Sequence, residues 1–305
     1  MKPRLIVIIG PTAVGKTEVA IKMAREWGAE IISADSMQIY RFMDIGTAKP
    51  SVEERSLVSH HLIDVVNPDQ QFNAAIFIEL ANRIIKKLHD QKKPVFVVGG
   101  TGLYVKTLLG GLFQGPNANE ELRTLYKQEL RQFGKDYLYE KLKKRDEKAA
   151  DQIDKNDVVR IIRALEVLDL CGESIVEKQK AHNFGCNLYD CIKIGLMLER
   201  SELYKRIDQR TDTMIQDGLV DEVQGLLSLG FEENLKPMQS LGYKHIACYL
   251  KGKCSCEDAV RLIKRDTRHY AKRQMTWFCK DQEIEWFNPA DIDAVRKKID
   301  QFLRQ

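Results

Sequence analysis

Eight residues near the start of the chain, Gly10-Pro11-Thr12-Ala13-Val14-Gly15-Lys16-Thr17, carry the spacing G-x-x-x-x-G-K-T. Glycines let a backbone curl until its N–H groups converge on phosphate oxygens. A helix start adds partial positive charge. Lys16 adds a full charge, and the Thr17 hydroxyl suits Mg²⁺. The apolar run at 5–9 and the helical pattern at 18–25 supply the strand–loop–helix context this motif requires. The octet predicts a site for a diphosphate or triphosphate.

In an open α/β sheet, ligands sit beyond the carboxyl ends of the strands. The segments after the other strand candidates are therefore the next source of chemistry. After 30–33 comes Ala34-Asp35-Ser36-Met37-Gln38. Asp35 is either a general base or metal-organising carboxylate, or an Asp that caps its own turn. Position alone does not decide between them. After 94–98 comes Gly99-Gly100-Thr101-Gly102, where an ATPase usually carries a carboxylate for Mg²⁺. Glycines there allow close approach of a ligand or a tight strand-to-helix turn, and the missing carboxylate weakens an NTPase reading.

Arg261, Arg265, Arg268 and Lys272 recur at helical spacing as one basic stripe, with Arg273 beside it and only Asp266 to offset it. Such a stripe is either a solvated face or a track for a phosphate backbone. Arg160 and Arg163 form a second cationic pair, and Arg206 and Arg210 a third that could reach a diphosphate.

These residues need elements to position them. Strand candidates at 5–9, 30–33, 61–66, 94–98, 191–198 and 284–287 alternate with amphipathic stretches such as 74–88. The pattern predicts an α/β fold: a P-loop NTPase-like core with a mostly parallel sheet flanked by helices. From 116 to 182 the chain is charged, helical in period and poor in strand signals, as in 120–133 and 157–170. Gly110-Gly111 and Gln114-Gly115-Pro116 open that segment, and Asn183-Phe184-Gly185 closes it. The expected organisation is a core of residues 1–115 and 183–305 carrying an all-helical insertion domain, 116–182.

Composition narrows the class. The 305 residues are 44% hydrophobic, enough for an ordinary globular core, and 48 basic against 44 acidic side chains leave a net charge of +4. Seven cysteines without a C-x-x-C pair read as free thiols rather than a zinc site, and free thiols suit a cytoplasmic location. His60 and His61 lack a second ligand cluster and read as hydrogen-bonding residues. No run approaches a membrane span, and the apolar run before Gly10 is too short for a signal peptide. Nothing demands more than a monomer, and no membrane or obligate protein partner is expected.

Taken together, the motifs resemble one family, the bacterial tRNA dimethylallyltransferases (tRNA isopentenyltransferases). The likeness runs nearly end to end: Gly10–Thr17, Asp35-Ser36-Met37-Gln38-Ile39-Tyr40, Asp44-Ile45-Gly46-Thr47-Ala48-Lys49-Pro50, His60-His61-Leu62-Ile63-Asp64, Gly99-Gly100-Thr101-Gly102-Leu103-Tyr104, Arg160-Ile161-Ile162-Arg163-Ala164-Leu165-Glu166, Ser240-Leu241-Gly242-Tyr243 and Ala271-Lys272-Arg273-Gln274-Met275-Thr276-Trp277. Each motif is weak alone, whereas their order and spacing are specific.

The resemblance implies transfer of a dimethylallyl group from dimethylallyl diphosphate to N6 of the adenosine 3′ to the anticodon of tRNA. It implies Asp35 as the base, with Lys16, Arg210, Arg206, the loop amides and Mg²⁺ at Thr17 on the leaving pyrophosphate. It also implies Thr101 as a hydroxyl on the reacting nucleotide or diphosphate, and Ser36, Met37 and Gln38 around a flipped adenine. Arg160, Arg163 and the insertion domain would clamp the anticodon stem-loop, with Arg265, Arg268, Lys272 and Arg273 as further RNA contacts. One departure stands out: Val158-Val159 replaces the Pro-Gln usual before Arg160. The chain also lacks the Cys/His zinc-finger extension of eukaryotic relatives. A small-metabolite kinase and a transferase acting on free adenine nucleotides are the rival readings; neither needs a large RNA-binding insertion.

Overall fold

A computed structural model describes residues 2–112, 115–182 and 188–304. Gln114, Asn183-Phe184-Gly185 and Cys186, which the sequence marks as loop residues or a thiol, lie outside the described residues. The elements run β1 (Arg4–Ile9), α1 (Lys16–Glu26), β2 (Glu30–Ser33), α2 (Val52–Leu57), β3 (His60–His61), α3 (Ala74–Asp90), β4 (Val95–Gly99) and α4 (Gly102–Gly110). Then come α5 (Glu120–Arg145), α6 (Glu147–Ala150), α7 (Val158–Cys171) and α8 (Ile175–His182). The chain returns with β5 (Asp190–Leu196), α9 (Arg200–Gln216), α10 (Leu219–Ser228), α11 (Tyr243–Leu250), α12 (Cys256–Phe278), β6 (Ile284–Phe287) and α13 (Ile292–Arg304).

The chain folds as two compact units: Met1–Leu108 with Asn187–Gln305, and Leu109–Cys186. In the first, all six strands pair in parallel in the order β3-β2-β4-β1-β5-β6. Parallel strands covered on both faces read as unbroken apolar runs, and β1 and β4 are buried along almost their whole length. With β1 flanked by β4 and β5, the loops that leave β1, β2 and β4 emerge at one edge of the sheet, where ligands bind in such folds.

One strand is shorter than its sequence suggests. The candidate at 61–66 forms only His60–His61. Leu62 at φ 61° and Asp64 at φ 55° turn the backbone left-handed there, which ends an extended run. The histidines themselves are hydrogen-bonded as expected: His60 Nδ1 lies 2.8 Å from the Val58 carbonyl and His61 Nε2 2.7 Å from Glu30.

The second unit is helical. Its core gathers Leu138, Leu142, Ile161, Leu165 and Val167. α5 is interrupted at Gly134, whose φ of 84° is not helical. Asp157 caps α7 by accepting the Arg160 N–H at 3.1 Å, so Val158 and Val159 occupy the first helical positions, and Val159 is 80% exposed. Glu166, wholly buried, accepts hydrogen bonds from Arg123 at 2.9 Å, Arg163 at 2.5 Å and the Asn119 N–H at 2.7 Å. Burial pushes its carboxyl up, but the Arg163 and Arg123 hydrogen bonds outweigh that and hold it below the ordinary glutamate value.

Candidate active site

The phosphate loop takes the shape its glycines permit. Gly10 has φ 152°, and a Cβ there would stand 2.5 Å from the Leu196 carbonyl oxygen. Gly15, at φ 98°, precedes α1 without a side-chain cap, which leaves the first-turn amides open to an anion. Lys16 Nζ donates to the Gly10 and Pro11 carbonyls at 3.0 and 2.7 Å. Burial pulls its pKa down to about 8; Asp35 opposes that shift and Arg210 adds to it. Arg210 is likewise lowered by burial and supported by Asp35.

Asp35 follows β2, and one of its oxygens is tied to its own turn. Oδ1 accepts the N–H groups of Met37 and Gln38 at 2.8 and 3.3 Å. The self-capping role and the chemical role are therefore compatible: the turn fixes one oxygen and orients the other. Two cavities share this carboxylate. The first, about 440 Å³, is lined by Gly15, Lys16, Thr17, Arg206 and Arg210 among others. The second, about 370 Å³, is lined by Ser36, Met37, Arg273 and the apolar Ile207, Met214, Leu241 and Ile263. Thr12, Ala13, Asp35, Thr47, Arg210 and Tyr270 line both, so Asp35 and Arg210 stand where a cationic chamber meets a more apolar one.

Other sequence-derived candidates take other places. Val14 is buried in the core and Pro11 lines a third, separate pocket with Lys272. Thr101 lines neither shared cavity; its Oγ1 accepts the Ser36 N–H at 3.1 Å and so steadies the Asp35 turn. Gln38 lines the first cavity with both ends of its amide engaged, accepting from Ser33 Oγ at 3.0 Å and donating to the Ala48 carbonyl at 3.2 Å.

The basic stripe is more neutralised than its sequence indicates, because α9 brings acids to it. Arg268 makes a forked pair with Asp208, Lys264 pairs with Asp212, Arg261 with Asp258 and Arg265 with Asp266. The expectation that only Asp266 offsets the stripe therefore fails: Asp258 stands three residues before Arg261 on α12 itself, and Asp208 and Asp212 come from α9, which a helical-spacing argument cannot see. In the helical unit, Arg163 is committed to Glu166 and the Pro116 carbonyl, while Arg160 lies 3.2 Å from Asp157.

The glycines after β4 make room for protein. A Cβ on Gly99 would strike the Ala34 backbone, one on Gly100 the Gln274 amide, and one on Gly102 the Trp277 ring. Gln274 accepts the Thr12 N–H at 2.8 Å and donates to the Gly100 carbonyl at 2.9 Å, tying the phosphate loop to the β4–α4 turn. Sequence reasoning gave Gln274 no role. The available signal was its position on the buried face of α12, in line with Ala271 and Phe278.

The fold and site define an α/β phosphate-loop protein in which a chamber lined by Lys16, Arg206 and Arg210 shares Asp35 with a second cavity. The chain belongs to the IPP transferase family, whose family model matches residues 38–281. It is 55% identical to the tRNA dimethylallyltransferase 2 of Syntrophus aciditrophicus, over 99% of this chain and 97% of that one. Among solved structures it resembles the tRNA isopentenylpyrophosphate transferase of Bacillus halodurans, with 39% identity, a TM-score of 0.74 and coverage of 99% and 97% of the two chains. It also resembles a eukaryotic dimethylallyltransferase acting on tRNA, with 26% identity, a TM-score of 0.78 and coverage of 94% and 74%.

Proposed function

We propose that this chain is a tRNA dimethylallyltransferase that moves the dimethylallyl group of dimethylallyl diphosphate to N6 of the adenosine 3′-adjacent to the anticodon. The observation that carries the reading is the sharing of Asp35 and Arg210 by two cavities of different chemistry. The cationic chamber suits the diphosphate, and the second cavity, rimmed by Ser36, Met37 and Arg273, suits the adenine.

In this mechanism the bond between C1 of the dimethylallyl group and its bridging oxygen breaks, and a bond from N6 to C1 forms. Pyrophosphate leaves into the loop amides, Lys16, Arg206 and Arg210, which stabilise the charge it gains. The N6 proton passes to Asp35, whose turn holds it at the junction. A positioned base of this kind contributes about 10²–10⁴-fold. Thr101 acts through Ser36, holding the Asp35 turn in register.

The Thr17 hydroxyl and the oxygens of a diphosphate are hard donors of the kind Mg²⁺ prefers. Among the described residues no cluster of three His, Cys, Asp or Glu side chains could hold a metal alone. Such a donor set fits a Mg²⁺ shared by Thr17 and the substrate, and when bound the ion supplies charge neutralisation for the leaving group.

The helical unit adds contacts to the anticodon stem-loop through Arg160, and α12 does so through Lys272 and Arg273. Both shared cavities are lined by residues of the first unit, and the reading takes the enzyme as a monomer. Six free cysteines among the described residues agree with a cytoplasmic one. No described helix is long and apolar enough to cross a membrane.

The test incubates the protein with dimethylallyl diphosphate, Mg²⁺ and either unmodified tRNA or AMP, followed by digestion to nucleosides. N6-dimethylallyladenosine from tRNA is expected. Its absence would overturn the reading, and faster modification of AMP would assign the enzyme to free nucleotides.

A further inference from the structure

Glu222, on α10, has a carboxylate that accepts four hydrogen bonds. Oε2 accepts the N–H groups of Asp44 and Ile45 at 2.8 and 2.7 Å. Oε1 accepts the Gly46 N–H at 3.1 Å and the Tyr243 hydroxyl at 2.6 Å. Successive backbone amides aimed at one point form an anion cradle, and here the chain's own carboxylate fills it. Tyr243 is wholly buried, and burial, then the Glu222 carboxylate, holds its phenol well above the usual range. Its ring lies where a Cβ on Gly46 would come within 2.5 Å, so the 44–46 turn can close on it only with glycine.

The latch joins two segments of the second cavity. Gly46 and Thr47 line that cavity, and so do Ser240, Leu241 and Gly242, which lead directly into Tyr243. The far end of the first segment is fastened separately: Lys49 Nζ donates to Asp44, to Asp64 and to the Tyr40 carbonyl, each at 2.6 Å. Lys49 anchors the loop to its own neighbourhood. Glu222 is what ties it to the segment at 240–243.

We propose that Glu222, with Tyr243, is a positioning residue for the acceptor nucleotide: it fixes the spacing of the two segments that line the second cavity. The inference rests on the reading that this cavity takes the adenine. It reaches the reaction through Thr47, which lines both cavities beside Asp35. A neutral amide cannot fully replace the carboxylate, because three of its four partners are backbone N–H groups that can only donate; the Tyr243 hydroxyl alone could turn to accept. The NH₂ of a glutamine at 222 would face either two backbone N–H groups or an N–H and the phenol.

The test is steady-state kinetics of Glu222→Gln and Tyr243→Phe, with tRNA and dimethylallyl diphosphate varied in turn. Glu222→Gln should lower kcat/KM for tRNA by about tenfold or more while KM for dimethylallyl diphosphate stays within about twofold, since misplacing one reactant raises its own barrier without weakening the other's binding. Tyr243→Phe, which loses one bond and keeps the carboxylate, should shift the same constant in the same direction by less. A folded Glu222→Gln with kcat/KM for tRNA within about twofold of the parent, or with both substrates weakened equally, would overturn the proposal. If Glu222→Gln does not fold, Tyr243→Phe decides by the same criterion. A parent enzyme that modifies AMP in preference to tRNA would instead overturn the acceptor assignment on which the proposal rests.

Discussion

Gln274 donates to the Gly100 carbonyl at 2.9 Å, at a point where any side chain on residue 100 would collide with the donating amide. The same side chain accepts the Thr12 N–H at 2.8 Å. One buried glutamine on α12 thus ties the Gly10–Thr17 loop to the turn that carries Thr101. Gln274→Leu keeps the volume and strands a backbone donor and a backbone acceptor. It should cost about 1–3 kcal/mol per stranded group in denaturant unfolding and raise KM for dimethylallyl diphosphate. Unchanged stability with unchanged KM would remove Gln274 from the site's architecture.

Burial pulls the Lys16 pKa down to about 8, against 10.5 for an unperturbed lysine. Because its folded value is the lower one, the unfolded chain binds the extra proton in that interval, and stability from this residue rises as pH climbs from about 8 toward 10.5. Diphosphate binding runs the other way, since it needs the ammonium. Pyrophosphate affinity should therefore fall as pH passes about 8. Lys16→Arg, charged throughout, separates this effect from the ligand's own ionisation: its affinity should vary less between pH 7 and 9 than that of the parent, as calorimetry would read.

Glu166 holds the helical unit through two arginines, and its folded pKa lies below the ordinary glutamate value of 4.5. Its contribution is present above that value and is lost as pH falls through the depressed one. Glu166→Gln should destabilise this unit by about 1–3 kcal/mol at neutral pH, because Arg123 and Arg163 lose their counter-charge but are partly exposed and can be solvated. The gap to the parent should narrow in acid. Urea melts at pH 7 and at pH 4 measure both statements.

RNA binding offers a graded test of the cations. Lys272→Ala should reduce the salt slope of tRNA binding by about one unit or less, and Arg268→Ala by less still, because Asp208 already offsets Arg268. Arg163→Ala should act on stability more than on the slope. Equal slope changes for Lys272 and Arg268 would show that the Asp208 pair opens when RNA binds.

Much of this was legible in advance, for local reasons. Gly10–Thr17 carries its geometry in its spacing, and β1, β2, β4 and β6 follow their apolar runs closely. What stayed hidden depends on contacts distant in sequence. Asp208 meets Arg268 across 60 positions, Glu222 meets Gly46 across 176, and Gln274 meets Gly100 across 174. The glycines after β4 illustrate the limit: sequence could say that something approaches closely, but whether it is ligand or Gln274 and Trp277 depends on where α12 packs. Leu62 and Asp64 fail for the opposite reason. The left-handed backbone of Leu62 runs against local propensity, whereas Asp64 tolerates that region, and the surrounding loop sets both, with Asp64 anchoring Lys49 and Arg55.

The proposed transfer turns on Asp35 accepting the N6 proton at the junction of the two cavities. Asp35→Asn is the sharpest probe, because its side-chain oxygen can still accept the Met37 and Gln38 N–H groups and so preserve the turn. Single-turnover transfer to unmodified tRNA, measured beside tRNA and pyrophosphate affinity, gives the answer. A loss of about 10²–10⁴-fold in the transfer rate is expected, with both affinities nearly unchanged. Transfer within about tenfold of the parent, or a loss that tracks weakened binding, would contradict that role of Asp35.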